Sequence, residues 1–252
     1  MQDICPKCKS NKLDFVSLPC QNCIYSLKKE TLNLIKILTT DLQIRRENIL
    51  VSFSGNDGFH LYVANSAYNT LGSKERSDLS DYIMFRRAIP EAFGFKKANP
   101  SRSLLPELAE PGWRGRVAAG LFGSKSNRSK GVTKIISDGY HAYRQRLEEM
   151  GKNSIGIRID PNVTVDIHRI FRLEGSLNSK SGLVKLACEN IEKFSPYTEA
   201  CLIDDKPVEV LANCPIVFRL KNKKFGPYAN ETVSIPKFTA VYMICKGIAN
   251  LA

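Results

Sequence analysis

Apolar residues first recur at helical spacing in SLKKETLNLIKILTTDL, where Leu27, Leu34, Ile35, Leu38 and Leu42 fall on one face. Two five-residue runs follow, ILVSF (49–53) and FHLYV (59–63), each the length and composition of a strand. Between them stand Ser-Gly-Asn-Asp-Gly, the residues of a turn. Further along, the pattern predicts helices over 76–87 and 131–150. IGIRID (155–160) reads as a short strand ending on a carboxylate. VTVDIHRIFR (163–172) resumes a helical pattern, which would put Arg169 and Arg172 on one helix face. PVEVLA, IVFRL and TVSIP read as short strands, and a closing helix is predicted over 237–248. Strands and helices interleave without strict alternation, so the expected class is α+β, or mixed α/β. No internal repeat or low-complexity tract stands out.

Charge changes the picture in one place. The chain of 252 residues carries a net charge of +12. Residues 86–134 hold eleven Lys and Arg against Glu91, Glu107 and Glu110, a local net of +8. This basic stretch, rich in Pro and Gly, fits either a solvated loop or helical insertion or a nucleic-acid surface. No apolar run approaches the roughly 20 residues of a membrane helix, and MQDICPKCKS lacks the apolar core of a signal peptide. A cytoplasmic location with no membrane partner is expected.

Cysteine spacing adds a candidate metal. Cys5-Pro-Lys-Cys8 and Cys20-Gln-Asn-Cys23 are two CxxC turns, which together can complete a tetrahedral zinc shell. Disulfides are the weaker alternative in a cytosolic protein. Four thiolates leave no open position, so the expected zinc is structural. Cys188, Cys201, Cys214 and Cys245 stand singly among apolar residues and read as core thiols. The expected organisation is a zinc knuckle over 1–25 and a larger core over 26–252.

Three clusters carry candidate chemistry. The turn Gly55-Asn56-Asp57-Gly58, edged by Ser54 and His60, can present backbone N–H groups outward to phosphate oxygens, although a glycine-rich hairpin turn is also commonplace. Asp160, before Pro161, is placed to bind a divalent metal. Asp166 and His168 read better as capping or surface residues. The polar loop 175–182 offers Lys180 to a polyphosphate. A metal-binding acid, a phosphate-gripping turn and a basic loop are the parts that phosphoryl transfer uses.

In this order these motifs resemble the small catalytic subunit of the archaeal and eukaryotic-type DNA primase. FSGNDGFHLYV is similar to that family's S-G-x-R-G-x-H motif. IDPNVTVDIHRIFRLEGSLNSKSG is similar to its D-x-x-V-T-x-D-x-x-R-L-I-R-x-x-x-S-L-H-x-K-T-G block. PCQNCIYSLKKET, GWRGRVA and KFGPYANETVSIPKFTAVYMICKGIA fit in the same order, so the resemblance covers nearly the whole chain. It implies that Asp160 is the third carboxylate for catalytic magnesium or manganese. It implies that Ser54, with Gly55 in the same motif, and His60 contact nucleotide phosphates, that Lys180 meets the triphosphate, and that Arg169 and Arg172 are basic site positions. The cysteines would be the structural zinc site. The family's partners would be a large iron–sulfur subunit, a single-stranded DNA template and nucleoside triphosphates. Its activity is synthesis of short primers for DNA replication.

Three departures stand against that pattern. The family's Asp-x-Asp pair, expected just before the zinc site, does not occur in this sequence. Asp57 replaces the usual Arg, and Asn178 replaces the His of S-L-H-x-K. The chain alone is therefore expected to be a poor primase. One reading makes it the C-terminal part of a split catalytic subunit, with a separate fragment carrying Asp-x-Asp. A second makes it a non-catalytic paralogue that binds nucleic acid or assembles the complex. A start assigned too far downstream and an unrelated zinc-ribbon nucleic-acid binder are the remaining alternatives.

Overall fold

The computed structural model describes residues 16–64, 66–96 and 104–252. In chain order the main elements begin with α1 (Gln21–Thr40), β1 (Ile49–Phe53), β2 (Phe59–Val63) and α2 (Ser73–Ile83). Next come α3 (Gly112–Phe122), α4 (Lys125–Met150), α5 (Pro161–Val165), β3 (Leu186–Ala187) and α6 (Pro196–Glu199). The chain closes with β4 (Pro207–Cys214), β5 (Phe218–Leu220), β6 (Lys223–Phe225), β7 (Tyr228–Pro236), α7 (Lys237–Cys245) and β8 (Ala249–Leu251). The class is mixed α and β, as the sequence pattern predicts.

The chain forms two compact units. Among the described residues the first comprises 16–28, 50–61 and 171–252; the second comprises 29–49, 62–64, 66–96 and 104–170.

In the first unit β1 lies between β2 and β3. β1 pairs antiparallel with β3, Ser52 opposite Ala187 and Phe53 opposite Leu186. Phe53 is fully buried and meets the rings of Phe59 and Phe194 at centroid distances of 5.9 Å each. A second sheet has β4 at its centre, antiparallel to β7 and β8. β4 buries Val210, Ala212 and Cys214 while Glu209, Leu211 and Asn213 face out, the period-2 alternation of a half-buried strand. The α7 helix packs on β4 and buries Phe238, Tyr242 and Met243.

The second unit is helical, around a core of Leu105, Val117, Tyr143 and Leu147. The described parts of the basic stretch, 86–96 and 104–134, contribute to this core through buried Phe93, Phe95, Leu105 and Trp113. Asp41 ties the helices together: its oxygens accept both guanidinium nitrogens of Arg116, at 2.6 and 2.8 Å, and the Tyr82 hydroxyl at 2.9 Å.

The structure corrects several expected elements. Residues 155–160 form no strand; a single backbone hydrogen bond, Ile157 N–H to Ile83 carbonyl at 3.2 Å, replaces a ladder. The helix expected over 163–172 begins earlier, at Pro161, and stops at Val165. Pro161 lacks an N–H, which is harmless at a first helical position, and Asp160 caps it. Arg169 and Arg172 therefore share no helix face. The α2 helix starts at Ser73 and ends at Ile83, because Phe85 and Arg87 take φ of 52° and 56°. The α4 helix starts at Lys125 and is broken at Gly139, whose φ of 84° and ψ of 179° only glycine adopts readily. The closing helix ends at Cys245 and gives way to β8. On α1 the buried residues are Ile24, Thr31, Ile35, Ile37 and Leu38, whereas Leu27, Leu34 and Leu42 are only half-buried. Cys188, Cys201 and Cys214 are core thiols, but Cys245 is half-buried.

Candidate nucleotide-phosphate site

The interruption between β1 and β2 is a tight turn closed on itself. The Ser54 N–H donates to the Gly58 carbonyl at 2.8 Å. The Ser54 hydroxyl oxygen in turn accepts the N–H groups of Asn56 and Gly58, at 3.3 and 3.2 Å. Those two amides thus point inward, a correction to the expectation that the turn presents its N–H groups to a ligand. The hydroxyl proton of Ser54 is left for an acceptor, because both turn bonds use the oxygen's lone pairs.

A second segment, 172–185, is clamped onto this turn. The Asn178 side-chain amide donates to the Ser54 carbonyl at 3.1 Å, and the Arg172 Nη1 donates to the same oxygen at 3.3 Å. The Ser181 hydroxyl donates to the Gly55 carbonyl. Gly55 has φ of +84°, and a Cβ there would lie 2.9 Å from both Asn178 Cβ and the Leu183 carbonyl oxygen. Only glycine lets the two segments approach so closely.

The loop itself is held by the Asn178 carbonyl, which accepts from Ser181 N–H at 3.2 Å and Gly182 N–H at 2.7 Å. The side-chain oxygen of Asn178 accepts the Lys180 N–H at 2.9 Å. Buried Lys185 adds a further tie, its Nζ donating to the Arg172 carbonyl at 2.8 Å. The backbone around Lys180 is therefore fixed, while its side chain is exposed.

His60 follows the turn on β2, half-buried, with its ring edge-on to Phe171 at 6.5 Å. A cation that sequence reasoning missed also reaches the turn. Lys246, just past α7, donates to Asn56 Oδ1 at 2.9 Å and to Ser17 Oγ at 3.0 Å. Burial pushes its pKa down and Lys180 adds to that effect, while Asp57 opposes it. Asp57 is exposed and accepts from Asn56 Nδ2 at 2.6 Å. No local pattern links Lys246 to residue 56, so its sequence carried no signal.

Ser54, Gly55, His60, Arg172 and Lys180 thus belong to the first unit, and Asp160 and Arg169 to the second. Asp160 is the N-cap of α5: its Oδ1 accepts the Asn162 N–H at 3.0 Å, and its Oδ2 lies 4.0 Å from Arg169 Nη1. Among the described residues no three His, Cys, Asp or Glu side chains gather to hold a metal ion. A single carboxylate facing a guanidinium does not fit a divalent cation on its own, since such ions take several oxygen ligands.

Cys20 and Cys23 sit at the start of α1, in the first unit. The Cys23 N–H donates to Cys20 Sγ at 3.2 Å. The hydrogen bonds from Cys23 lower the Cys20 thiol pKa, and the same pairing raises that of Cys23. The lowered pKa of Cys20 suits a thiolate ligand, where deprotonated sulfur is needed, whereas that of Cys23 does not. Cys5 and Cys8 lie outside the described residues.

Comparison with known proteins agrees with these motifs. The family description "DNA primase small subunit" matches residues 13–188. A DNA primase small subunit of Nitrosopumilus maritimus is 56% identical over 248 residues, which are 98% of this chain and 66% of that protein. One from Cenarchaeum symbiosum is 45% identical over 250 residues, 99% of this chain and 67% of that protein. One from Methanococcoides burtonii is 28% identical over 273 aligned positions, 88% of this chain and 69% of that protein. The chain thus spans about two thirds of the length of these curated relatives. With the match running from before the second cysteine pair to the end of the clamped loop, the chain belongs to the DNA primase small-subunit family.

Proposed function

We propose that the chain serves template-directed nucleotidyl transfer in primer synthesis and contributes the grip on the incoming nucleoside triphosphate. The observation that carries this reading is the clamp between the Ser54 turn and the 172–185 loop, which fixes Ser54, Lys180 and Lys246 on one unit. In the reaction a 3′-hydroxyl oxygen gives up its proton to solvent and bonds to the α-phosphorus, and the bond to the α–β bridging oxygen breaks, releasing pyrophosphate. The chemistry is mostly positioning and charge neutralisation. The Ser54 O–H donates a hydrogen bond to a phosphate oxygen, His60 borders the same turn, and Lys180 neutralises charge on the leaving pyrophosphate.

Magnesium or manganese, when bound, would activate the attacking hydroxyl and neutralise phosphate charge. Asp160 supplies only one carboxylate for it, and in this reading a separate fragment carrying an Asp-x-Asp pair supplies the others. Structural zinc on Cys5, Cys8, Cys20 and Cys23 would stabilise the segment leading into α1. The partners are a large subunit, single-stranded DNA and nucleoside triphosphates, and the work is cytoplasmic. Among the described residues no helix is long and apolar enough to cross a membrane.

A second reading, a non-catalytic assembly subunit, is favoured by one observation: the exposed Asp57 carboxylate at the tip of the turn, where it would repel a phosphate. Titration of the chain with ATP separates the two. Saturable binding that weakens about tenfold in both Lys180→Ala and Lys246→Ala supports the catalytic reading, since each cation lost near a phosphate is worth roughly 1–2 kcal/mol. Absence of ATP binding by the wild-type chain, alone and with the large subunit, would establish the assembly role instead.

A further inference from the structure

The helical unit holds a cleft of about 590 Å³ that the nucleotide grip does not use. Its rim carries Arg86, Arg87, Arg144, Lys152 and Arg158, and Glu148 is the one carboxylate among its described lining residues. Glu148 is already engaged, accepting from Arg144 Nε at 3.1 Å. The floor is carbon, with buried Phe85 and Ile157 and half-exposed Ile89. Arg87 pairs with Asp81 at 3.0 Å and Arg158 lies 3.8 Å from Glu30, yet they leave 74% and 83% of their side chains in solvent.

The walls are built closely. Phe85 and Arg87, on either side of Arg86, both adopt positive φ, an uncommon conformation for such residues. Opposite them the chain makes a five-residue π-turn at Gly151–Ile155, a feature frequent at functional sites. A Cβ on Gly151 would lie 2.8 Å from the Phe85 carbonyl oxygen, and one on Gly156 would lie 2.4 Å from that of Met84. Two glycines therefore permit the backbone approach that carries Lys152 and Arg158 to the rim. Beyond the 85–89 segment, which lines both, a second cavity of about 430 Å³ runs on to Tyr82, Trp113 and Arg114. Two adjoining hollows with cations along the shared wall suit an extended polyanion better than a compact one.

The geometry points to this track as a seat for single-stranded nucleic acid, its phosphates on the arginine and lysine rim and its bases over the carbon floor. The inference rests on the primer-synthesis reading, because that reading makes a nucleic-acid strand, and not an acidic peptide, the polyanion at hand. Exposed cations against phosphates supply affinity that falls steeply with salt, and apolar or aromatic surface accepts bases without regard to sequence.

The test is fluorescence anisotropy of the full 252-residue chain with labelled oligo-dT and oligo-U, each about 12 nucleotides long. Binding is followed from about 50 to about 200 mM salt. Lys152→Glu/Arg158→Glu is expected to raise Kd at least about tenfold at the lower salt and to flatten the log–log salt slope by about 1.4, two phosphates' worth for a single strand. Should the pair unfold the chain by circular dichroism, Arg86→Ala and Lys152→Ala read the same effect singly. A stronger effect on oligo-dT assigns template DNA to the track, and one on oligo-U assigns the growing primer. Unchanged affinity and slope in folded variants overturn the inference, and so does failure of the wild-type chain to bind either strand. Weakened association with the large subunit at unchanged oligonucleotide affinity also overturns it, and assigns the cleft to a protein. None of these outcomes touches ATP binding at Lys180, which tests the primer-synthesis reading separately.

Discussion

The side-chain amide of Asn178 donates to the Ser54 carbonyl across 124 residues of sequence, at 3.1 Å. The same side chain accepts from the Lys180 N–H, so one buried residue connects the turn to the loop that carries the lysine. A neutral imidazole also offers one donor and one acceptor. The Asn in place of the family's His therefore preserves the kind of link, and its presence alone does not mark a lost function. Asn178→Ala is expected to lower stability by about 1–2 kcal/mol in urea denaturation, since the Lys180 N–H loses its partner, and to weaken ATP binding. Asn178→His is expected to restore most of both. Wild-type ATP affinity in the Ala variant would show that the link does not position Lys180.

Gly55 is the point of closest approach in the clamp. Gly55→Ala meets both an unfavourable φ of +84° and contacts of 2.9 Å. The expected cost is at least about 2 kcal/mol, from left-handed strain plus displacement of the 178–183 loop. Thermal denaturation checks the stability, and ATP titration checks whether the loop has moved.

Asp160 has two separable duties, as helix cap and as the carboxylate of the proposed site. Asp160→Asn keeps the cap acceptor, whereas Asp160→Ala removes it at about 1 kcal/mol. In the assembled complex both variants are expected to abolish primer synthesis, and Asn should leave the melting curve unchanged. Normal synthesis by the Asn variant would remove Asp160 from the chemistry.

How much of this was legible in the sequence differs by element. β1 and β2 are bounded as the apolar runs indicate, because each side of the turn supplies its own pattern and the turn residues are unambiguous. The stretch from 155 to 172 misled for a local reason. Its apolar spacing is real, but Asp160 and Pro161 start a short helix, and Ile170 and Leu173, spaced like core residues, are 93% and 80% exposed. Periodicity reports what a segment is suited to bury, and here the burying surface is absent from the described residues. The tie between Lys246 and Asn56 spans 190 residues and depends on tertiary placement that no local pattern encodes.

Zinc removal tests the cysteine site. Cys20→Ser is expected to lower zinc content, measured by mass spectrometry on the intact chain, and to lower the melting temperature. A structural zinc site carries folding energy, so chelation should act in the same direction. An unchanged melting curve after verified metal loss would argue against a structural zinc.

Acid should reach the helical unit through Asp41. Burial pushes its carboxyl up, but hydrogen bonds from Arg116, Thr40 and Tyr82 outweigh this and hold it below the usual carboxylate range. A depressed folded pKa gives stability that is present above about pH 4, the unfolded value, and lost as pH falls below it. The Asp41 side chain is 4% exposed, so Arg116→Met leaves an unpaired buried charge and is expected to cost about 3–5 kcal/mol at neutral pH. The gap between this variant and wild type should narrow below about pH 4, as followed by urea denaturation across pH.

The clamp also has a consequence for biosynthesis. Its two halves, residues 54–58 and 172–185, are separated in the nascent chain by the entire sequence of the helical unit after Leu61. At ribosomal rates of about 5–20 residues per second, the turn emerges on the order of 10 s before its partner loop. Closure of so long a loop is slow and late. The clamp thus forms only after residue 185 has emerged, and a ribosome stalled before residue 172 carries a hairpin without the loop that clamps it.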